Sequence, residues 1–317
     1  MEIFIKAMEN DLSYVQNHIN YINEVDKNGK SLLHYATLGS AHDVIDYLLM
    51  QEINLNIQDV SGETALFDCA RKGKINIAQK LLKKYANPNL KNNKNETAFH
   101  LACHKGNMDM IDLLLENGAF YNIKTKDDRL PIHYSILAGH HQHIETLIKK
   151  FNIKWDYLDS RLNNFLHYAT YTTNPKLVEI FIKYDLDINA LNDQLETPIF
   201  NAIKYSTPEI LKLLLKNGAL LSINNRRYET PEKTALIFHK EDMIAAIEAY
   251  KETPAYFNQV KDNAYKIAVL NRDHETLRNL VLEKNPLRKD NLGLTAYDYA
   301  VKYNLTACIN ILKKLKM

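Results

Sequence analysis

One short pattern recurs so regularly along this chain that it limits the fold before any other property is considered. Ser31-Leu32-Leu33-His34-Tyr35-Ala36 returns as Thr64-Ala65-Leu66-Phe67-Asp68-Cys69 and again as Thr97-Ala98-Phe99-His100-Leu101-Ala102. Further copies stand at Leu130-Pro131-Ile132-His133, Asn164-Phe165-Leu166-His167, Thr197-Pro198-Ile199-Phe200 and Thr230-Pro231-Glu232-Lys233. Their fourth positions (34, 67, 100, 133, 167, 200 and 233) lie 33 or 34 residues apart. Asn263-Ala264-Tyr265-Lys266 and Thr295-Ala296-Tyr297-Asp298 continue the series at spacings of 33 and 32. Such a unit is too small to bury its own apolar face, so the copies must stack into a shared core.

The period of 33 and the Thr-Pro-Leu-His-x-Ala head resemble the ankyrin repeat, a turn followed by two antiparallel helices. The third copy carries the resemblance furthest, from Asn95-Glu96-Thr97 through Gly106 to Leu113-Leu114-Leu115-Glu116-Asn117-Gly118-Ala119. The resemblance spans nearly the whole chain and implies an all-α ankyrin-repeat solenoid of about nine units, capping repeats included. Thr and Pro at each head favour a helix start. Leu213, Leu214 and Leu215 supply an apolar face for a second helix, and Gly118 and Gly218 suit the left-handed residue that ends one.

The expected organisation has three parts. Residues 1–24, with Phe4, Ile5, Ala7, Val15 and Ile19, read as capping helices without a hairpin. Residues 25–255 hold the repeats, with heads near 31, 64, 97, 130, 164, 197 and 230. Residues 256–317 read as a degenerate C-terminal repeat and cap. Glu232 and Lys233 replace Leu and His in the seventh copy, and Thr253-Pro254 follows soon after. We expect a continuous but bent stack there.

Composition narrows the function classes. The 40 basic and 38 acidic residues nearly cancel, without the basic excess of nucleic-acid binders. The C-terminal run Lys313, Lys314, Lys316 reads as the solvated end of a last helix. No apolar run reaches the roughly 20 residues of a membrane span, and the acidic N-terminus does not resemble a signal peptide. Cys69, Cys103 and Cys308 are odd in number and lack metal or redox spacing, which points to a reducing, cytoplasmic setting. There the sequons at Asn95 and Asn304 stay silent.

Candidate chemistry is sparse. His34, His100, His133 and His167 share one register, so the resemblance implies a structural role linking neighbouring hairpins. His141 and His143 are two apart on an expected helix and point in different directions, which disfavours a metal site. Cys69 and Cys103 fill small-residue slots. No Gly-rich phosphate loop, nucleophile elbow or His-Glu-x-x-His motif occurs. We therefore expect no enzyme activity, no catalytic residues, no metal and no cofactor.

What remains is surface. The resemblance implies a concave groove lined by hairpin tips and first-helix ends, where family members bind proteins. In the early repeats these positions are Lys27, Asn28, Val60, Glu63, Arg71, Lys72, Lys94, His104 and Lys105. In the later ones they are Arg161, Tyr171, Lys204, Tyr205, Arg226, Arg227 and Phe238, a set rich in the Tyr and Arg of binding hot spots. The expected function is a monomeric, non-catalytic scaffold for a protein partner. Heavy use of Lys, Asn and Ile fits a host-directed effector of an intracellular microbe or virus. The alternatives are a regulatory or inhibitory subunit of an enzyme complex, and a cryptic enzyme.

Overall fold

The computed structural model describes residues 2–18, 20, 22–151, 154, 157–283, 289–290 and 292–314. Ile19 and Lys316, named above, lie outside the described residues. Among the described residues the regular structure is helical, apart from one isolated bridge between Val25 and Ser31. The chain forms two compact units, residues 1–153 and 154–317.

In the first unit every repeat is a helix pair behind a turn. Leu32–Gly39 is followed by His42–Met50, Ala65–Lys72 by Ile75–Lys83, Ala98–Lys105 by Met108–Glu116, and Pro131–Leu137 by His141–Phe151. First helices lie against first helices, and their small residues allow close approach: Ala36, Ala70, Ala102 and Cys103 are fully buried. Second helices contribute Ile45, Leu48, Leu81 and Leu114, also fully or almost fully buried. Each such side chain contributes about 1.5–3 kcal/mol on removal from water. Glu2–Met8 packs on Leu32–Gly39, with Phe4 and Ala7 inside. Gly39 makes that approach possible, since a Cβ there would stand 1.9 Å from the Met8 carbonyl oxygen.

Where the recurrent histidine is present it ties its turn together. The backbone N–H of Ser31 donates to His34 Nδ1 at 3.1 Å, so the ring proton must sit on Nε2. From there it donates to the Glu63 carbonyl of the next repeat at 3.0 Å. His167 repeats both bonds, accepting from Asn164 N–H at 3.3 Å and donating to the Glu196 carbonyl at 3.0 Å. His100 and His133 keep the first bond, from Thr97 N–H at 3.0 Å and Leu130 N–H at 2.9 Å. Adjacent hairpin tips are also joined backbone to backbone, as in Val60 N–H to Asn28 O and Asn93 N–H to Ser61 O, both 2.9 Å.

The second unit begins in the same way. Phe165–Ala169 and Pro175–Lys183, Pro198–Tyr205 and Pro208–Lys216, then Pro231–Ile237 and Glu241–Lys251 form the fifth to seventh repeats. After them the chain departs from simple succession. Thr253 caps a separate helix, Pro254–Asp262, in which no residue is buried. The eighth and ninth repeats, Ala264–Leu270 with His274–Glu283 and Ala296–Lys302 with Thr306–Lys313, pack on each other and fold back onto the fifth and sixth. Ala268, Leu270, Tyr299, Ala300 and Cys308 share one core with Leu191, Leu220 and Ile223. Lys302 Nζ reaches Asp187 at 2.9 Å, and the Leu191 N–H donates to the Tyr303 hydroxyl at 3.0 Å. The seventh repeat is thereby left without a successor, and Leu236 on its first helix is 54% exposed where Cys103 and Ile203 at the same register are fully buried.

Local stability follows local burial in a repeat protein. Amides over 245–262 should exchange faster than those over 97–150 when hydrogen exchange is followed by mass spectrometry. Equal protection in both stretches would contradict a weak joint at Thr253-Pro254.

Candidate functional site

The late set of surface residues comes from three successive repeats of the second unit. Tyr171 follows the fifth repeat's first helix, Tyr205 ends the sixth's, and Phe238 caps the seventh's. Register places these helix ends side by side, and the Tyr171 and Tyr205 rings stack with centroids 4.9 Å apart and planes inclined by 26°. They are 42% and 52% exposed, so a ring pair that usually belongs inside a protein is held in solvent. Phe238, 46% exposed, lies beyond them, with the Lys204 ammonium 5.9 Å from its ring centre.

Lys204 is not an open contact. Its ammonium pairs with Glu196 at 2.5 Å, and both side chains are largely buried. The same link occurs in the second repeat, where Arg71 meets Glu63 at 2.5 Å and Asp68 at 2.9 Å. In each case a first-helix cation bonds a hairpin carboxylate eight residues earlier and fixes the angle between hairpin and helix. The pairing holds the Lys204 side chain against its hairpin, next to Tyr205 in the chain and near the Phe238 ring.

The arginines occupy the hairpin tips and are exposed. Asp193 N–H donates to the Arg161 carbonyl at 2.8 Å, and Arg226 N–H to the Gln194 carbonyl at 2.9 Å. These bonds set the three tips in a row. Arg226 Nε also donates to the Asp193 carbonyl at 2.6 Å, which holds that guanidinium flat along the ribbon.

One column of tip residues was not singled out by the sequence reading. At the left-handed turn position the first unit has Gly29, Gly62, Asn95 and Asp128, the types that tolerate positive φ. The second unit has Leu162, Leu195 and Tyr228 there, at φ of 60°, 58° and 57°. Bulky residues in this conformation cost about 1–2 kcal/mol each. Leu162 is 45% and Tyr228 80% exposed, so burial does not offset the cost; Leu195 is half-buried against the Leu191 and Leu220 core. The signal was available, since the three positions are spaced by 33 residues.

The family model described as ankyrin repeats (3 copies) matches three stretches, residues 3–92, 86–159 and 154–227. The chain belongs to the ankyrin-repeat family. Among solved structures, the crystal structure of the human ASB11 ankyrin repeat domain is similar in fold. It aligns with a TM-score of 0.62 at 23% identity, over 71% of this chain and 100% of that one. No curated protein sequence matches the chain. Ankyrin repeats are generally protein–protein interaction modules, and their fold is typically a non-enzymatic scaffold.

The remaining candidates are placed by the same geometry. His140 Nε2 lies 2.9 Å from the His104 carbonyl, and His141 and His143 are half-buried on their helix. Among the described residues no three His, Cys, Asp or Glu side chains come together as a metal would require. All three cysteines are buried, and burial pushes the Cys103 thiol up to about 12, the opposite of an activated nucleophile. Among the described residues no helix is long and apolar enough to cross a membrane.

Proposed function

We propose that this chain is a non-catalytic scaffold that binds a protein partner through the aromatic ladder of repeats five to seven. The observation that carries this reading is the stacked, half-exposed Tyr171–Tyr205 pair, extended by Phe238 and flanked by Arg161, Arg226 and Arg227. Aromatic rings held rigid before binding contribute contact area at low entropic cost, and arginine forks pair with carboxylates in fixed geometry. Lys204 stands beside the ladder, paired to its hairpin. Three buried thiols fit a reducing, intracellular setting. The bias toward Lys, Asn and Ile supports the role of a host-directed effector.

Affinity capture from a eukaryotic and a bacterial lysate in parallel, followed by photo-crosslinking, tests the reading. The expected result is a protein retained from the eukaryotic lysate, with crosslinks mapping to 161–238. Crosslinks confined to the first unit would sink it, as would an enzymatic turnover found in hydrolase and transferase screens.

A further inference from the structure

We propose that the hairpin tips of repeats five to seven form a docking edge for an acidic, apolar-bearing segment of a protein partner. The inference rests on the scaffold reading and adds the chemistry of what is bound. Its first support is the backbone. Leu162 and Tyr228 hold a conformation that favours Gly, Asn or Asp, and they do so with their side chains in solvent. Neither local conformational preference nor burial favours an exposed bulky residue there, whereas contact with a partner would reward it. The outlier is also systematic, since three successive tips share it and the tips of the first unit do not.

The second support is charge. Arg161, Arg226 and Arg227 are exposed along this edge. The nearby carboxylates are mostly turned inward. Asp159 is buried, accepting from the Arg161 and Asn163 backbone N–H groups and from the Tyr168 hydroxyl. Glu196 holds Lys204, and Glu229 accepts from Asn225 at 2.9 Å. Asp193 and Glu229 are half-buried, so the three guanidiniums are the charges this edge presents most openly. An edge whose outer tips set exposed guanidiniums beside Leu162 and Tyr228 complements a segment that carries carboxylates next to apolar side chains.

The edge is tested by fluorescence anisotropy on the full chain with three labelled probes. These are a peptide repeating Glu-Leu-Asp-Phe, its neutral counterpart repeating Gln-Leu-Asn-Phe, and a thymidine oligonucleotide. The acidic peptide should bind at least about tenfold tighter than the neutral one, and added salt should narrow that gap. Arg226→Ala with Arg227→Ala should weaken the acidic peptide about tenfold. Tyr228→Gly relieves the left-handed backbone, so it should weaken the peptide while raising the melting temperature, a combination that a merely structural Tyr228 would not produce. Equal binding of neutral and acidic peptides overturns the proposal. So does oligonucleotide binding as tight as that of the acidic peptide, or a Tyr228→Gly variant that binds like wild type. If partner capture depends on Tyr171 and Tyr205 while the acidic peptide ignores the arginines, this edge is refuted and the scaffold reading stands. If the peptide behaves as expected and capture ignores the tyrosines, the edge stands and the ladder falls.

Discussion

Between pH 6.5 and pH 4 this protein should lose several kcal/mol of stability, and the buried histidines of the repeat register should be the cause. Backbone N–H groups donate to Nδ1 of His34, His100 and His167, so each ring must stay neutral to accept. Burial disfavours the imidazolium at all three, lowering His34 and holding His100 and His167 at about 4. An unfolded histidine titrates near 6.5. Above that pH both states are neutral and nothing is lost. Below it the unfolded chain takes up protons that the folded chain refuses, so stability falls until the folded pKa is reached, and no further. Each of the two deepest rings should cost about 2 kcal/mol by pH 5 and about 3 kcal/mol by pH 4. Carboxylates with lowered pKa, such as Glu96 and Asp59, add their own loss only as pH falls through the ordinary carboxylate range and below. Buried Asp68, raised, works in the opposite sense. The interval from 6.5 to 5 therefore reports the histidines. Urea midpoints measured across it should decline steeply, and His100→Gln with His167→Gln should start lower and decline less. A wild-type midpoint that is the same at pH 7 and pH 5 would refute the neutral-histidine account.

The same register explains why so much of the fold was legible beforehand. Thr97, His100, Ala102 and Leu114 are each dictated by one physical demand that recurs every 33 residues: a cap, a hairpin link, a close helix approach and a buried face. The return of the last two repeats was barely legible, because it depends largely on side chains that look alike wherever they occur. Ile223 is buried under the C-terminal repeats, whereas Ile57, Leu90 and Ile123 at equivalent positions of the first unit remain half-exposed. Nothing local distinguishes Ile223 from them; Leu191, which shares its core, stands where the first unit has Gln58, Lys91 and Lys124, and that change was visible in the sequence. Lys266 is a related case. In the sequence it marks a degraded repeat, since lysine stands where histidine is expected. In the structure its ammonium is buried and reaches the next repeat, at 2.9 Å from Asp290 and 2.6 Å from the Tyr299 hydroxyl, so the link between neighbours survives with a different residue.

The candidate surface was legible in outline and misread in one detail. Tyr171, Tyr205 and Phe238 are exposed along neighbouring helix ends, because register converts a spacing of about one repeat into adjacency. Lys204 is withdrawn into an ion pair, and the clue lay in the glutamate eight residues before it, a spacing shared by Glu63 and Arg71. An exposed position was inferred from the helix alone, whereas the side chain's reach decides where its charge ends up.

Tyr171→Ala combined with Tyr205→Ala should remove partner capture while leaving the helical spectrum and melting temperature nearly unchanged. Half-exposed rings contribute little to the core, and their mutual stacking is worth only about 0.5–1.5 kcal/mol. At a binding hot spot each truncation typically costs at least about 2 kcal/mol, some thirtyfold in affinity. The two rings touch, so the double change should cost less than the sum of the single ones, and that shortfall measures their coupling. A control must remove surface charge without disturbing structure. Arg71 is unsuitable because Glu63 and Asp68 already hold it. Lys72→Ala with Lys105→Ala is preferable, since both side chains are exposed, and it should alter mainly a salt-dependent on-rate. Surface plasmon resonance with the captured partner separates the cases. The tyrosine pair should act on the off-rate, because rings already stacked before encounter contribute to holding the complex and not to steering it. Wild-type affinity in the tyrosine variant would move the hot spot elsewhere. A melting temperature lowered by ten degrees or more, roughly what a loss of several kcal/mol does to a chain this size, would show that these tyrosines belong to the packing of the repeats.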